Sequence, residues 1–326
     1  MSWLKAKNKL NRFINKTLSS SEIADHASTN NISFDVNKAN EEVDRLKEEL
    51  IKYKTWRPPG HFYSPIPDRL EVKKREKEIW GTLPQEIPNI DLNEEEQLSL
   101  LEKLAVYYSE IPFSDHKKEG IRYFYKNPAF PPGDAILLYS MLRYLKPKKI
   151  IEVGSGYSSC VILDTNEKFL GNSVDITFIE PYSDLLKSLI TKQDLEGVEI
   201  IESNLQDIGL EKFQELDRGD ILFIDSTHVS KIASDVNYIF FEILPTLKSG
   251  VIIHFHDIFY PFEYPKEWIY EGRAWNEDYL FRAFMQYNKN YKIIFFNDYL
   301  AKMHKDKFKE MKLWVNNSGS LWMKKL

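Results

Sequence analysis

Two short apolar runs in this 326-residue chain end in clusters of acid and imidazole: Asp225-Ser-Thr-His228 and His254-Phe-His256-Asp257. Neutral imidazole titrates near working pH, so His228 or His256 can take a proton from a reacting group unaided, with Asp225 beside them as a third candidate catalytic group. His254 shares a strand face with His256 but sits deeper, and reads as a core histidine with its nitrogens satisfied. The stretch Phe259 to Asn276 follows directly, aromatic and broken by proline. Tyr260, Trp275 and Arg273 are its candidate substrate contacts, the rings for apolar surface and the guanidinium for a carboxylate or phosphate. Arg273 has an alternative, an ion pair with Glu271 or Glu277. A second ring-rich stretch, Trp56 to Asp68, holds four prolines and offers His61 and Tyr63, either folded over a pocket or packed as a strap on the core.

These residues need a frame. Strands are expected over 149–153, 175–180, 198–202, 220–225, 250–256 and 291–297, with 320–324 as a seventh. Helical patterns separate most of them, over 158–169, 183–191, 208–216, 228–247 and 276–287, and Asp134 is placed to cap a helix over 135–145. Strands apolar throughout and alternating with helices imply an α/β fold, a doubly wound, mostly parallel sheet covered on both faces. Residues 1–127, with helices expected over 37–54 and 95–110, read as a helical, loop-rich extension, and 128–326 as the sheet domain.

In such sheets ligands bind at the carboxyl ends of the strands. The first strand ends in Glu152-Val-Gly154-Ser155-Gly156-Tyr157-Ser158, a tight turn opening a helix. A dinucleotide fingerprint wants a third glycine where Ser159 stands, and the acid at Glu152 disfavours a pyrophosphate. An acid there suits a cationic sulfonium amino acid. Glu180 and Pro181 end the second strand, the acid standing roughly ~20 residues on, where a carboxylate grips ribose hydroxyls. Gln206 and Asp207 follow the third strand, with polar groups for an adenine edge.

Taken together, Glu152-Val-Gly-Ser-Gly156, Glu180, Gln206-Asp207 and Asp225 resemble the class I S-adenosylmethionine-dependent methyltransferases, over about residue 128 to the C-terminus. The resemblance implies a Rossmann-like methyltransferase fold and S-adenosylmethionine as cofactor. Glu180 would bind both ribose hydroxyls, Gly154 and Gly156 would approach the methionine part, and Gln206 the adenine; Glu152, Ser155, Tyr157, Ser158, Pro181, Asp207 and Asp225 complete the expected cofactor set. The activity implied is O-methylation of a small molecule or glycan. Small-molecule O-methyltransferases that resemble catechol O-methyltransferase hold a divalent metal, magnesium or another, and the corresponding set here is Asp225, His256 and Asp257. Macrolide-sugar O-methyltransferases pair a strand-end Asp with a His three residues on, which Asp225 and His228 match. His256 stands where a carboxylate is expected, which shifts the site toward a softer metal or none. Metal-assisted and histidine-only mechanisms both stay open. An NAD-linked oxidoreductase and a non-catalytic interaction protein retaining the fold are the competing readings.

The bulk numbers exclude other classes. A net charge of −5 gives no electrostatic argument for nucleic acid and leaves room only for a local basic patch. One cysteine, Cys160, permits no intramolecular disulfide and no cysteine-rich zinc site; it reads as packing beside the glycine turn. No run approaches the ~18–20 apolar residues of a membrane span, and no secretory apolar core opens the chain, so a cytoplasmic protein is expected. Residues 2–20 place Trp3, Leu10, Phe13 and Ile14 on one helical face with lysines around the rest. That basic amphipathic pattern fits docking on its own domain or on a second copy in a homo-oligomer, ahead of a membrane surface.

Overall fold

The computed structural model describes residues 29–52, 55–315 and 318–326, in two units, 1–64 and 65–326. The expected amphipathic segment over 2–20 falls outside the described residues.

In the first unit one helix spans Thr29–Lys52, starting earlier than its charged pattern suggests. Its expected apolar stripe is exposed at Val43, Leu46 and Leu50. Residues 55–64 are irregular, as their prolines require, with the Trp56 and Tyr63 rings 5.3 Å apart.

The second unit is built on seven strands: β1 (Lys149–Val153), β2 (Asp175–Ile179), β3 (Glu199–Ile201), β4 (Ile221–Ile224), β5 (Ile252–Phe255), β6 (Tyr291–Phe296) and β7 (Leu321–Lys325). Their order is β3-β2-β1-β4-β5-β7-β6. All neighbours from β3 to β5 run parallel, and β7 inserts antiparallel between β5 and β6. This is a doubly wound, mostly parallel sheet with flanking helices, the Rossmann-like methyltransferase architecture. Strands β4 and β5 are buried at every position, which is why they read as unbroken apolar runs. Strand order reverses at β1, whose neighbours are β2 and β4, so the crevice for a ligand opens at its carboxyl end.

Residues 65–127 belong with the sheet unit. Gln97, on the helix Glu94–Ala105, accepts a hydrogen bond from the Phe296 amide at 2.6 Å and so covers part of the β6 edge. Arg122 pairs with Asp164 at 2.9 Å and Asp194 at 2.6 Å, tying this segment to the helix Tyr157–Phe169. Its guanidinium is mostly buried, so removing either acid leaves an under-compensated charge.

Two expected elements differ. Asp134 does not cap a helix: the helix begins at Pro132, and the Asp134 carboxylate is buried, accepting from Ser318 at 2.6 Å and from Ser320. The helix expected from residue 228 begins only at Asp235, where the Ser234 hydroxyl caps it by accepting from Asn237 N. A π-type turn over Ile239–Ile243 follows. Val229 and Ile232 fit the helical period, but His228 and Ala233 have φ of 59°, and Ile232 is 97% exposed. Side-chain bonds to the backbone, Thr227 to Asp235 among them, hold residues 225–234 as a loop.

Candidate active site at the carboxyl edge of the sheet

The glycine turn lies where β1 and β4 meet. Gly154 has φ +79° and packs directly on the main-chain carbonyl of Asp225. The Ser159 hydroxyl donates to Glu152 and accepts from the Gly156 amide, so the position a dinucleotide turn gives to glycine here ties strand to helix. Burial drives the Glu152 carboxyl up to about 8, against the pull of neighbouring serine hydroxyls. Glu152 Oε1, Ser155 Oγ and Ser226 Oγ are buried without hydrogen-bond partners. Unsatisfied polar atoms cost free energy unless a ligand meets them, so this turn fits the cationic amino-acid end of S-adenosylmethionine.

Glu180 stands across the turn. Its Oε2 accepts from the Ser155 amide at 3.3 Å and its Oε1 from Tyr182 N at 2.8 Å, beside Pro181. Tyr157 and Ser158 open the helix that follows the turn. Gln206 and Asp207 occupy a short 3₁₀ turn after β3; the Gln206 amide donates to the Ala233 carbonyl at 2.6 Å, and Asp207 accepts from Asn204 at 3.1 Å.

The imidazole cluster assembles beside it. His228 Nε2 is 3.4 Å from Asp225 Oδ1 and 3.7 Å from Asp257 Oδ2, while Nδ1 is 2.8 Å from Glu277 Oε2. His256 Nε2 is 3.6 Å from Asp257 Oδ1, its Nδ1 has no partner, and its ring lies 5.1 Å from that of Phe130. Burial disfavours the charged form of His228, yet Asp225, Glu277 and Asp257 hold its pKa well above the ordinary imidazole value. His256 is likewise raised against burial by Asp225, Asp257 and Asp134. Burial lifts Asp257 to about 6, whereas the two imidazoles outweigh burial at Asp225 and lower it.

The resemblance would place a metal at Asp225, His256 and Asp257, which meet at the ends of β4 and β5. Among the described residues no three His, Cys, Asp or Glu side chains are placed to hold an ion. Asp225 and Asp257 both stand within 4 Å of His228 Nε2, and Asp257 also faces His256.

His254 is buried, as expected, but not satisfied. It stacks on Phe223 at 4.0 Å with neither nitrogen partnered, and burial pushes its pKa well down, keeping it neutral. Tyr260, expected to meet a substrate, is a core residue: its ring packs on Tyr299 and its hydroxyl donates to the Pro84 carbonyl. Arg273 pairs with Glu271 at 3.2 Å and lies 4.1 Å from the Trp268 ring. Trp275 stands 4.4 Å from the His228 ring, as a wall of the cluster. His61 and Tyr63 belong to the other unit, where His61 Nδ1 accepts from the Tyr63 amide. Cys160 is buried within its helix, its thiol pushed up by burial. Glu277 escaped the sequence reading as anything but an ion-pair partner for Arg273, because an acid opening a helix is ordinary.

Residues 151–258 match a family model described as a methyltransferase domain. An uncharacterized protein of Archaeoglobus fulgidus is 36% identical over 185 residues, 56% of this chain and 80% of that protein. Among solved structures, the O-methyltransferase TomG from Streptomyces achromogenes, in complex with SAM, is similar at 14% identity and TM-score 0.39, over 78% of this chain and 96% of that one. The Mg-SAM form of CmcI is similar at 15% identity and TM-score 0.39, over 75% and 88%. No helix among the described residues is long and apolar enough to cross a membrane.

Proposed function

Because the chain belongs to the class I S-adenosylmethionine-dependent methyltransferases, we propose that it methylates a hydroxyl group of a small molecule or glycan, with His228 as the base. The observation that carries this reading is the meeting of His228 with the glycine turn, through Asp225. That residue's carbonyl packs on Gly154 and its carboxylate faces His228 Nε2.

S-adenosylmethionine, when bound, supplies a methyl group already activated on a sulfonium. The chain must align an acceptor oxygen in line with it and take the acceptor's proton. Glu152, Ser155 and the open Gly154-Ser-Gly156 turn would hold the amino-acid end, and Glu180 the ribose. His228 Nε2, at the strand ends beside Asp225 and Asp257, would take the proton, and those two acids would stabilise the imidazolium that results. Trp275 supplies a ring beside His228, which suits a phenolic or sugar acceptor.

Methyl transfer from labelled S-adenosylmethionine to a panel of phenols and sugars tests this, together with calorimetry using S-adenosylhomocysteine. Failure to bind S-adenosylhomocysteine would remove the cofactor assignment. Full activity in His228→Ala would remove the base assignment.

A further inference from the structure

Glu277 lies 49 residues from His228 in sequence, yet its carboxylate is the nearest partner of the ring. We propose that Glu277 is the positioning residue of the transfer site, holding His228 as the tautomer with its proton on Nδ1 and with Nε2 turned toward the acceptor. The proposal rests on reading His228 as the base.

Both side chains are buried, at 6% and 1% exposure, and Nδ1 and Oε2 stand 2.8 Å apart. Burial raises the Glu277 carboxyl and the bond to His228 lowers it. As a carboxylate it only accepts, and its contact is shorter than the 3.4 Å from Nε2 to Asp225, so the neutral ring keeps its proton on Nδ1. Nε2 is then the basic nitrogen, and it faces Asp225 and Asp257 at the strand ends.

The same dipeptide holds the backbone under the ring. The amides of Asn276 and Glu277 donate to the His228 carbonyl at 3.1 and 3.3 Å. The Asn276 side chain accepts from Ser230 N at 2.6 Å and donates to Ser230 O at 3.1 Å. His228 itself has φ 59°, a left-handed conformation that is unfavourable for a residue with a Cβ and persists only where its surroundings over-determine it. Asn276 and Glu277 supply that constraint from the start of the helix Glu277–Met285, and Trp275 closes the third side against the ring. Glu277 Oε1 has no partner. Among the described residues His228 is its one side-chain hydrogen-bond partner, and a buried carboxylate so held is a poor structural anchor, since apolar packing would hold the helix at lower cost. Its placement makes sense as a device aimed at one nitrogen.

In the transfer step His228 Nε2 takes the hydroxyl proton as the oxygen–methyl bond forms and the methyl–sulfur bond breaks. The positive charge lost from sulfur reappears on the imidazolium, 2.8 Å from Glu277, which keeps its hydrogen bond from Nδ1 and takes no proton.

The test is nitrogen NMR of the full chain labelled with ¹⁵N-histidine and saturated with S-adenosylhomocysteine, His228 being assigned by its loss in His228→Gln. In the wild type at high pH, the proton is expected on Nδ1. Glu277→Gln should retain that tautomer, since its amide oxygen still accepts, whereas Glu277→Ala should release the ring to Nε2–H. In transfer assays the alanine variant should lose part of what a general base supplies, on the order of 100- to 10,000-fold in kcat, with S-adenosylhomocysteine affinity unchanged. A wild-type proton on Nε2, or an unchanged Nδ1–H in Glu277→Ala, overturns the proposal. Should the alanine variant not fold, the wild-type and glutamine spectra still decide it. An active His228→Ala enzyme would instead overturn the base assignment, leaving the tautomer measurement to judge Glu277.

Discussion

Gly154 faces the main-chain carbonyl of Asp225 so closely that a Cβ on it would stand 1.7 Å from that oxygen. Gly154→Ala must therefore part the ends of β1 and β4, besides placing alanine at φ +79°. Gly171 has a similar φ of +66°, but a Cβ there would meet nothing within 4 Å. Gly171→Ala should cost only the backbone penalty of about 1–2 kcal/mol. Gly154→Ala should cost at least about 3 kcal/mol and abolish S-adenosylhomocysteine binding. Urea midpoints of the two variants check the ranking, and equal midpoints would contradict it.

Glu152 should couple cofactor binding to protons. Its carboxyl is raised by burial to about 8, so the free protein holds it largely protonated at neutral pH. A cation arriving beside Oε1 favours the charged form and lowers that value. Binding of S-adenosylhomocysteine, through its ammonium group, should then release a proton below about 8 and tighten as the pH rises toward that value. Calorimetry in buffers of different ionisation enthalpy measures the release. Glu152→Gln should abolish it, and a wild-type release of zero would count against the ammonium lying there.

Legibility in the sequence tracked how far each signal is local. The sheet strands are apolar runs closed by polar residues, and they fall within a few positions of the expected ranges. The glycine turn, Glu180 and the acids after β4 and β5 could be found because strand ends are where parallel sheets expose side chains. His228 could be named from its spacing to Asp225, but its loop could not. Val229 and Ile232 extend the stripe of the helix at Asp235 backwards, whereas bonds at Thr227, Lys231 and Ser230 hold their backbone on another course. Glu277 and Asp134 stayed hidden for a related reason: each acid sits in the first turn of a helix, where acids are common, and only tertiary packing gives it a specific partner.

Chelation should leave the transfer rate unchanged. The resemblance expects a carboxylate where His256 stands, and Asp225 and Asp257 are both turned to an imidazole. Dialysis against EDTA followed by single-turnover assays, with and without added Mg²⁺, decides this. A rate lost on chelation and restored by magnesium would show that the carboxylates regroup around an ion.

The rate of transfer should climb with pH through a midpoint above 6.5. His228 works only as neutral imidazole, and the groups that face it are Asp225 and Asp257 at the strand ends, Glu277 from the following helix, and His256. The three acids raise its pKa well above the ordinary value despite burial, so at pH 6.5 most of the base is still protonated and idle. Removing one negative charge favours the neutral ring, so Asp225→Asn should move the midpoint to lower pH, even if its plateau falls because the imidazolium formed in the step is less well stabilised. Single-turnover rates across the pH range, on enzyme saturated with S-adenosylmethionine, measure both midpoints. A wild-type midpoint at or below the ordinary imidazole value, or an upward shift in Asp225→Asn, would mean that the group limiting the rate is not His228.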